Sequence, residues 1–311
     1  MGAGIRALER PRRLVPGDRV ALVAPSGPIA AERLEQGLGI LRDWGLEPVV
    51  FPHVSDTGRL PYLAGEDAAR ARDVEDAWCD PSVAAVLGAR GGFGAQRIVD
   101  LLDWERMAQM PAKAFVGFSD ATALHEIVAA RLGVSTLYGP MAAAQVFCTD
   151  EATQAHLRAT LFEPESVRTL GPGTARTLAP GSTAGVTTGG CLTLLATELG
   201  TPTARPPAPG EILVLEDVDL EPDELDRVLT QLLRAGRLDG VAGIVLGSFT
   251  GYEPYDDLRA VLVERLAPLG VPVVDELPFG HGPTSLTVPL GVPCVLDADA
   301  RTLTFDMPAL V

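Results

Sequence analysis

Lysine is almost missing from this chain. Lys113 is the sole one among 25 basic residues, against 41 aspartates and glutamates and a formal net charge of −16. An excess of that sign excludes a nucleic acid or an anionic membrane as partner, because binding phosphates needs clustered Lys and Arg. The arginine bias itself reads as genome composition. Cysteine is sparse and scattered: Cys79, Cys148, Cys191 and Cys294 form no C-x-x-C and have no close histidine partner. Neither a zinc site nor a disulfide framework is expected, and four lone thiols fit a reducing cytosol. Long apolar runs are also lacking. Behind Arg6, Arg10, Arg12 and Arg13, the run 20–24 is broken by Pro25, Gly27 and Pro28, too short for a signal peptide or a membrane span. The expected location is therefore cytoplasmic. There is no G-x-G-x-x-G, Walker loop, kinase signature, metal-ligand cluster, internal repeat or low-complexity tract. No cofactor and no metal are expected.

What the chain has is length and alternation. Its 311 residues, 47% of them hydrophobic, suffice for two domains with a substantial core. Strands are expected at 20–24, 48–51 and 83–89, with helices at 31–44, 66–78 and 96–104 between and after them. Another apolar run stops at Gly117, and a helix follows over 120–132. Such alternation predicts an α/β fold with a parallel, doubly wound sheet, whose ligands bind outside the carboxyl ends of the strands. From 162 to 185 the helical pattern lapses into Pro, Gly, Thr and Ser. The expected division is an N-terminal α/β domain over 1–162, a linker over 163–184 and a β-rich C-terminal domain over 185–311. In that last part strands are expected at 211–216, 241–249, 271–274, 292–296 and 302–305, and helices at 192–199, 223–233 and 258–266.

Ser119 sits where the strand ending at Gly117 turns into the helix. A hydroxyl there lies at a sheet's carboxyl edge and beside a helix N-terminus, whose free N–H groups and dipole favour developing negative charge. The turn Gly117-Phe-Ser119-Asp-Ala121 is a nucleophile elbow with a small residue in place of the last glycine. Serine is also a favoured helix cap, so the turn alone has a purely structural explanation. A serine nucleophile needs a base and an acid to orient it. His125, six residues on, is displaced by about 600° and 9 Å along the helix and points to another face. His53 follows a strand with nothing beside it to suggest a role, and His156 lies on a polar helix expected to be solvated. His281, between Gly280 and Gly282 in a loop, is the best base of the four. The acid should come from the strand end Glu216-Asp217-Val218-Asp219. Alternation puts Glu216 and Asp217 on opposite faces, but spacing does not choose between them. Arg90-Gly91-Gly92-Phe93-Gly94 is a loop whose backbone can approach a reacting oxygen closely.

Together these pieces resemble the LD-carboxypeptidase family of serine peptidases, which includes the microcin immunity peptidases. The resemblance runs from about Val20 to Val292. It rests on Val23-Ala-Pro-Ser-Gly-Pro28, Arg90 to Gly94, Gly117 to Leu124, Gly189-Gly190 with Leu192, Leu215-Glu-Asp217, Asp226-Arg227 and Pro278-Phe-Gly-His-Gly282. It implies an N-terminal domain like that of class I glutamine amidotransferases and a smaller β-rich α+β C-terminal domain. It assigns Ser119 as nucleophile, His281 as general base and Glu216 as the orienting acid. The backbone N–H groups of Gly92 and Asp120 would form the oxyanion hole, with Gly91 and Phe93 against the substrate. Departures at Phe93, Phe118 and Cys191 touch pocket polarity. The implied reaction is hydrolysis of the amide between an L-centre and a terminal D-amino acid, turning a murein tetrapeptide into a tripeptide and D-alanine during cell-wall recycling. A peptidyl-nucleotide antibiotic is the alternative substrate. It would be stacked by an aromatic residue before Gly189, yet 169–188 has no Trp, Tyr or Phe. A binding module without catalysis is the reading from another class. Homodimerisation is an expectation by analogy only.

Overall fold

The computed structural model describes residues 4–311. In the first half, apolar runs form β1 (Arg19–Val23), β2 (Glu47–Val50), β3 (Val83–Gly88), β4 (Ala114–Gly117) and β5 (Thr136–Tyr138). They pair in parallel in the order β5-β4-β3-β1-β2. Side chains alternate along each strand. Val20 and Leu22 of β1 therefore share a core with Leu34, Leu38 and Leu41 of the helix Ala31–Asp43. Ala21 and Val23 pack on the other face with Val74 and Trp78 of the helix Asp67–Cys79 and Ile127 of the helix Thr122–Leu132. Two helical layers flank one parallel sheet, which is the doubly wound arrangement the alternation predicts.

The second sheet is built from β6 (Thr169–Leu170), β7 (Arg176–Ala179), β8 (Ser182–Cys191), β9 (Glu211–Val218), β10 (Gly243–Thr250), β11 (Val273–Asp275), β13 (Pro293–Asp297) and β14 (Thr302–Phe305), while β12 (Val288–Leu290) lies elsewhere. Its order is β6-β14-β13-β8-β9-β10-β11-β7, with β8 to β11 parallel to one another and antiparallel pairs at both ends. Residues 163–184, expected as a linker, thus supply both edge strands of this sheet. β12 crosses back and adds antiparallel to β5, closing the edge of the first sheet. The two sheets meet through one core, where Phe118, Tyr138 and Met141 pack with Ile212, Val214, Phe279 and Val288.

One expected helix forms only in part. Over 96–104 the chain makes two short 3-10 turns, Ala95–Arg97 and Val99–Leu101. The Val99 carbonyl accepts from the Trp104 indole N–H (2.9 Å), and the Asp103 amide donates to Glu75 instead (3.1 Å). Side chains have taken both partners of an α-helical hydrogen bond.

At the start of β9, Glu211 is buried and accepts from Arg237, itself 4% exposed, at 2.6 Å. Replacing Arg237 alone leaves the buried Glu211 with only the more distant Arg205, whose Nε lies 3.9 Å away, so its charge is poorly compensated. We expect Arg237→Met to lower the unfolding free energy by about 3–5 kcal/mol, measured by urea titration. The Glu211→Gln/Arg237→Met double variant should recover most of that loss, and a double variant no better than the single one would contradict this account.

Candidate active site

The carboxyl ends of β1, β3 and β4 deliver the 24–28 turn, the 90–94 loop and the turn at Ser119 to one edge, and β9 delivers Glu216 opposite them. Ser119 has φ +60°, a left-handed conformation that is strained for a residue with a side chain. Among the described residues its hydroxyl caps neither the 3-10 turn Ser119–Ala121 nor the helix that begins at Thr122. The capping explanation for this serine therefore fails on geometry. Its backbone N–H donates to Tyr138 Oη at 3.0 Å, and its carbonyl accepts from Thr122 Oγ1 at 2.7 Å.

Glu216 is fully buried on the face of β9 that also carries Ile212 and Val214, looking toward the first sheet. It accepts three hydrogen bonds: Tyr138 Oη–H at 2.5 Å on Oε1, and His281 Nδ1–H at 2.6 Å and His281 N–H at 3.1 Å on Oε2. The carboxylate sets the ring tautomer, with the proton on Nδ1. This close approach requires Gly280. Its φ is +89°, and a Cβ there would lie 2.3 Å from Glu216 Oε2. Asp217 faces the opposite way, among Leu213 and Leu215. It accepts from Thr193 N–H (2.8 Å) and Thr193 Oγ1–H (2.7 Å), capping the first turn of the helix Leu192–Thr197. Strand parity separates the two acids that spacing left open.

Burial lowers the His281 pKa, but the charge and hydrogen bond of Glu216, with Asp217 and Asp219, outweigh it and hold the group above its ordinary value. The other histidines serve elsewhere. His125 is buried between Thr136 Oγ1 (2.7 Å) and the Gly117 carbonyl (2.9 Å), and burial pushes it down to about 4. His53 is tied to Asp73 at 2.7 Å. His156, expected to be solvated, is half-buried and accepts from the Thr287 amide at 3.1 Å, with its pKa pushed by burial to about 4.

The 90–94 loop lies directly against the serine: a Cβ on Gly91 would stand 3.1 Å from Ser119 Oγ. Gly92 has φ +111°, and its amide has no protein acceptor among the described residues. Asp120 is buried, and its carboxylate accepts the Ala95 amide at 2.7 Å, which ties the end of that loop to the serine turn. Desolvation raises the Asp120 pKa against that bond. Phe93 is 45% exposed and meets Tyr62, 48% exposed, edge-on at 5.8 Å. A cavity of about 470 Å³ opens beside the site between Phe118, Gln145, Thr149 and His281. Another of about 490 Å³ adjoins the far end of the His281 loop at Pro283 and Thr284, against Ser248 and Pro278. Phe118 packs against the His281 ring with centroids 4.9 Å apart.

Two residues of this edge escaped the sequence reading. Tyr138 ends β5, and its hydroxyl links the Ser119 amide to Glu216; a hydroxyl-bearing aromatic at the end of a buried strand was its only signal. Arg70 lies in a helix that reads as charged surface, yet it is 1% exposed and donates to the Pro25 carbonyl and to Gly94 O (2.9 Å). Nothing in local sequence marks it.

The fold is shared with two-domain proteins of known structure. The muramoyltetrapeptide carboxypeptidase of Oxalobacter formigenes superposes with a TM-score of 0.77 at 29% identity, over 93% of this chain and 99% of that one. The microcin C7 self-immunity protein MccF, solved with aspartyl sulfamoyl adenosine, gives 0.84 at 22% identity over 97% and 100%. These two share one architecture, and sequence places the chain in a family. The LD-carboxypeptidase N-terminal domain matches residues 20–139 and the LD-carboxypeptidase C-terminal domain matches 184–296. The chain belongs to the LD-carboxypeptidase family. A Streptomyces coelicolor protein bearing a carboxypeptidase name is 59% identical over 98% of this chain and 99% of its own. The murein tetrapeptide carboxypeptidase of Pseudomonas aeruginosa is 33% identical over 90% and 94%.

If Tyr138 holds the serine turn and the carboxylate together, Tyr138→Phe breaks both bonds while leaving the ring packed. We expect the variant to react with a neutral serine-directed phosphonate on the order of tenfold more slowly or worse, followed by intact-protein mass spectrometry. Labelling at the wild-type rate would remove Tyr138 from the site.

Proposed function

We propose that this protein is a serine-type LD-carboxypeptidase that releases the terminal D-alanine of a murein tetrapeptide. The observation that carries the reading is the unbroken hydrogen-bond path from the Ser119 amide through Tyr138 and Glu216 to His281 Nδ1. With Nδ1 committed to Glu216, Nε2 is the nitrogen left to move a proton. In this mechanism Ser119 Oγ attacks the carbonyl of the L-centre as His281 Nε2 takes its proton. Glu216 stabilises the resulting imidazolium. The N–H groups of Gly92 and Asp120 hold the oxyanion, Gly91 and Phe93 line the substrate, and His281 returns the proton to the leaving amine. Water, activated by the same histidine, then cleaves the acyl-enzyme.

The nucleophile comes from residues 1–162, and Glu216 and His281 from 185–311, so the substrate is bound between them. A cytoplasmic setting belongs to the same proposal and is supported by four unpaired cysteines. No helix among the described residues is long and apolar enough to cross a membrane.

The test is incubation with L-Ala-γ-D-Glu-meso-diaminopimelate-D-Ala, read by mass spectrometry. Wild-type protein should release D-alanine and Ser119→Ala should not. Failure of both would sink the murein reading, and cleavage of a peptidyl-adenylate in its place would establish the alternative substrate.

The pH dependence follows from the direction of the His281 shift. A general base works when neutral, so kcat/KM rises as pH climbs through its pKa. That pKa is raised, so the midpoint of the acid limb lies above the ordinary imidazole value of about 6.5. Glu216→Gln removes the charge that raises it. The limb should move to lower pH, and kcat should fall on the order of 10⁴-fold. An unmoved limb would separate Glu216 from the base.

A further inference from the structure

The proposed reaction cuts beside a free carboxylate, and that group has to be recognised next to an acid-rich centre. Glu216, Asp217 and Asp219 all act on His281. Asp120 lies in the serine turn, and the chain as a whole carries −16. An anionic substrate end is repelled from such a place unless a local cation offsets the field.

One arginine is positioned to do so. Arg90 opens the glycine loop, and its side chain is exposed. Nη1 donates to the Pro28 carbonyl at 3.0 Å, anchoring the guanidinium across the 25–28 turn. The anchor depends on Gly27, where a Cβ would stand 2.8 Å from Nη1, and the Gly27 amide in turn donates to Gly91 O at 3.0 Å. Among the described residues Arg90 has no carboxylate partner and no other side-chain hydrogen bond, so most of its five-donor fork is unspent. By contrast Arg70 and Arg97, at the same edge, are both paired with Asp67.

The reach is right. Gly91 touches Ser119, and Nη1 lies 3.8 Å from the Cβ position of Gly92, the residue whose amide is proposed to hold the oxyanion. In a leaving D-amino acid the carboxylate is joined to the scissile carbonyl through one nitrogen and one Cα, a span of about one residue or 3.8 Å. A cation one residue beyond the oxyanion site meets that group. The exposed Tyr62–Phe93 pair bounds the same corner with apolar surface, and Tyr62 O is 3.5 Å from the Gly27 Cβ position.

Resting on the carboxypeptidase reading, we propose that Arg90 binds the terminal carboxylate of the leaving amino acid and confines cleavage to the last residue of a peptide. A planar guanidinium matches a carboxylate with two parallel N–H donors, which a lysine in the same place does not.

The test pairs the tetrapeptide with its C-terminal amide. In a Ser119→Ala background, calorimetry should show the acid binding roughly 10- to 100-fold more tightly than the amide. Adding Arg90→Gln should bring the acid down to the level of the amide and leave the amide unchanged, with Arg90→Lys between the two. With Ser119 intact, Arg90→Gln should lose the same factor in kcat/KM for the acid. It should still be labelled by the neutral phosphonate, showing that fold and nucleophile persist. If the Gln variant fails to label, the Lys variant and the wild-type preference for acid over amide decide. An acid-to-amide ratio that survives Arg90→Gln overturns the proposal, as does equal loss for both ligands. Acid-selective binding that depends on Arg90, without turnover by the Ser119 enzyme, would keep the subsite and overturn the reaction.

Discussion

A buried carboxylate holds this site together. Glu216 has no exposed surface, and an ion in that position is tolerable only when its oxygens are well supplied with donors. Three are supplied, from Tyr138 of the first sheet and from the main chain and ring of His281 on a late loop. The need to satisfy one charge thus brings together β5, β9 and the 278–284 loop, which lie far apart in sequence. The Ser119 amide is attached to the same group through the Tyr138 hydroxyl. Loop, serine turn and strand end are positioned relative to one another because they share this acceptor.

Strand geometry explains why the neighbouring acid does something else. Along β9, Ile212, Val214 and Glu216 face the joint between the sheets, and Leu213, Leu215 and Asp217 face the helices. A one-residue change of register would exchange the two carboxylates, and β9 is held against that by parallel partners on both sides. Asp217 is then free to cap the helix Leu192–Thr197, whose first turn follows the Gly189-Gly190 pair. Adjacent acids at a strand end acquire different jobs from parity alone.

The periodicity of the chain made most of this legible. Alternating apolar runs located β1 to β4 and the turn that carries Ser119, though not the three-residue β5, and glycines marked the loop at 90–94 and the loop that holds His281. The contributions that stayed hidden are those made by pairing over long distances. β6 and β7 are short and polar enough to read as a connector, and they are strands only because β14 and β11 offer them edges. β12 reverses into the first sheet for the same reason. Tyr138 and Arg70 act through hydroxyl and guanidinium groups whose partners come from other elements, so no local pattern announces them. The 96–104 segment misled in the opposite sense, since its helical periodicity is real but side chains compete for its backbone bonds.

The conformation of Ser119 depends on the same network. A serine at φ +60° is held in place only if its surroundings over-determine it. The amide is fixed by Tyr138, the carbonyl by Thr122, and the next residue by Asp120 anchored to Ala95. Thr122 also accepts the Cys191 amide at 2.9 Å, so the second sheet braces the turn from a further side. Strain stored in a turn with so many ties turns the side chain out of the helix and leaves its hydroxyl without a capping role. The same ties bring the 90–94 loop against it, with Gly91 directly beside the serine hydroxyl. Under the roles proposed for Arg90 and His281, a cation on that loop and an acid-supported base discriminate by charge, favouring a substrate whose scissile bond has an anion on one side only.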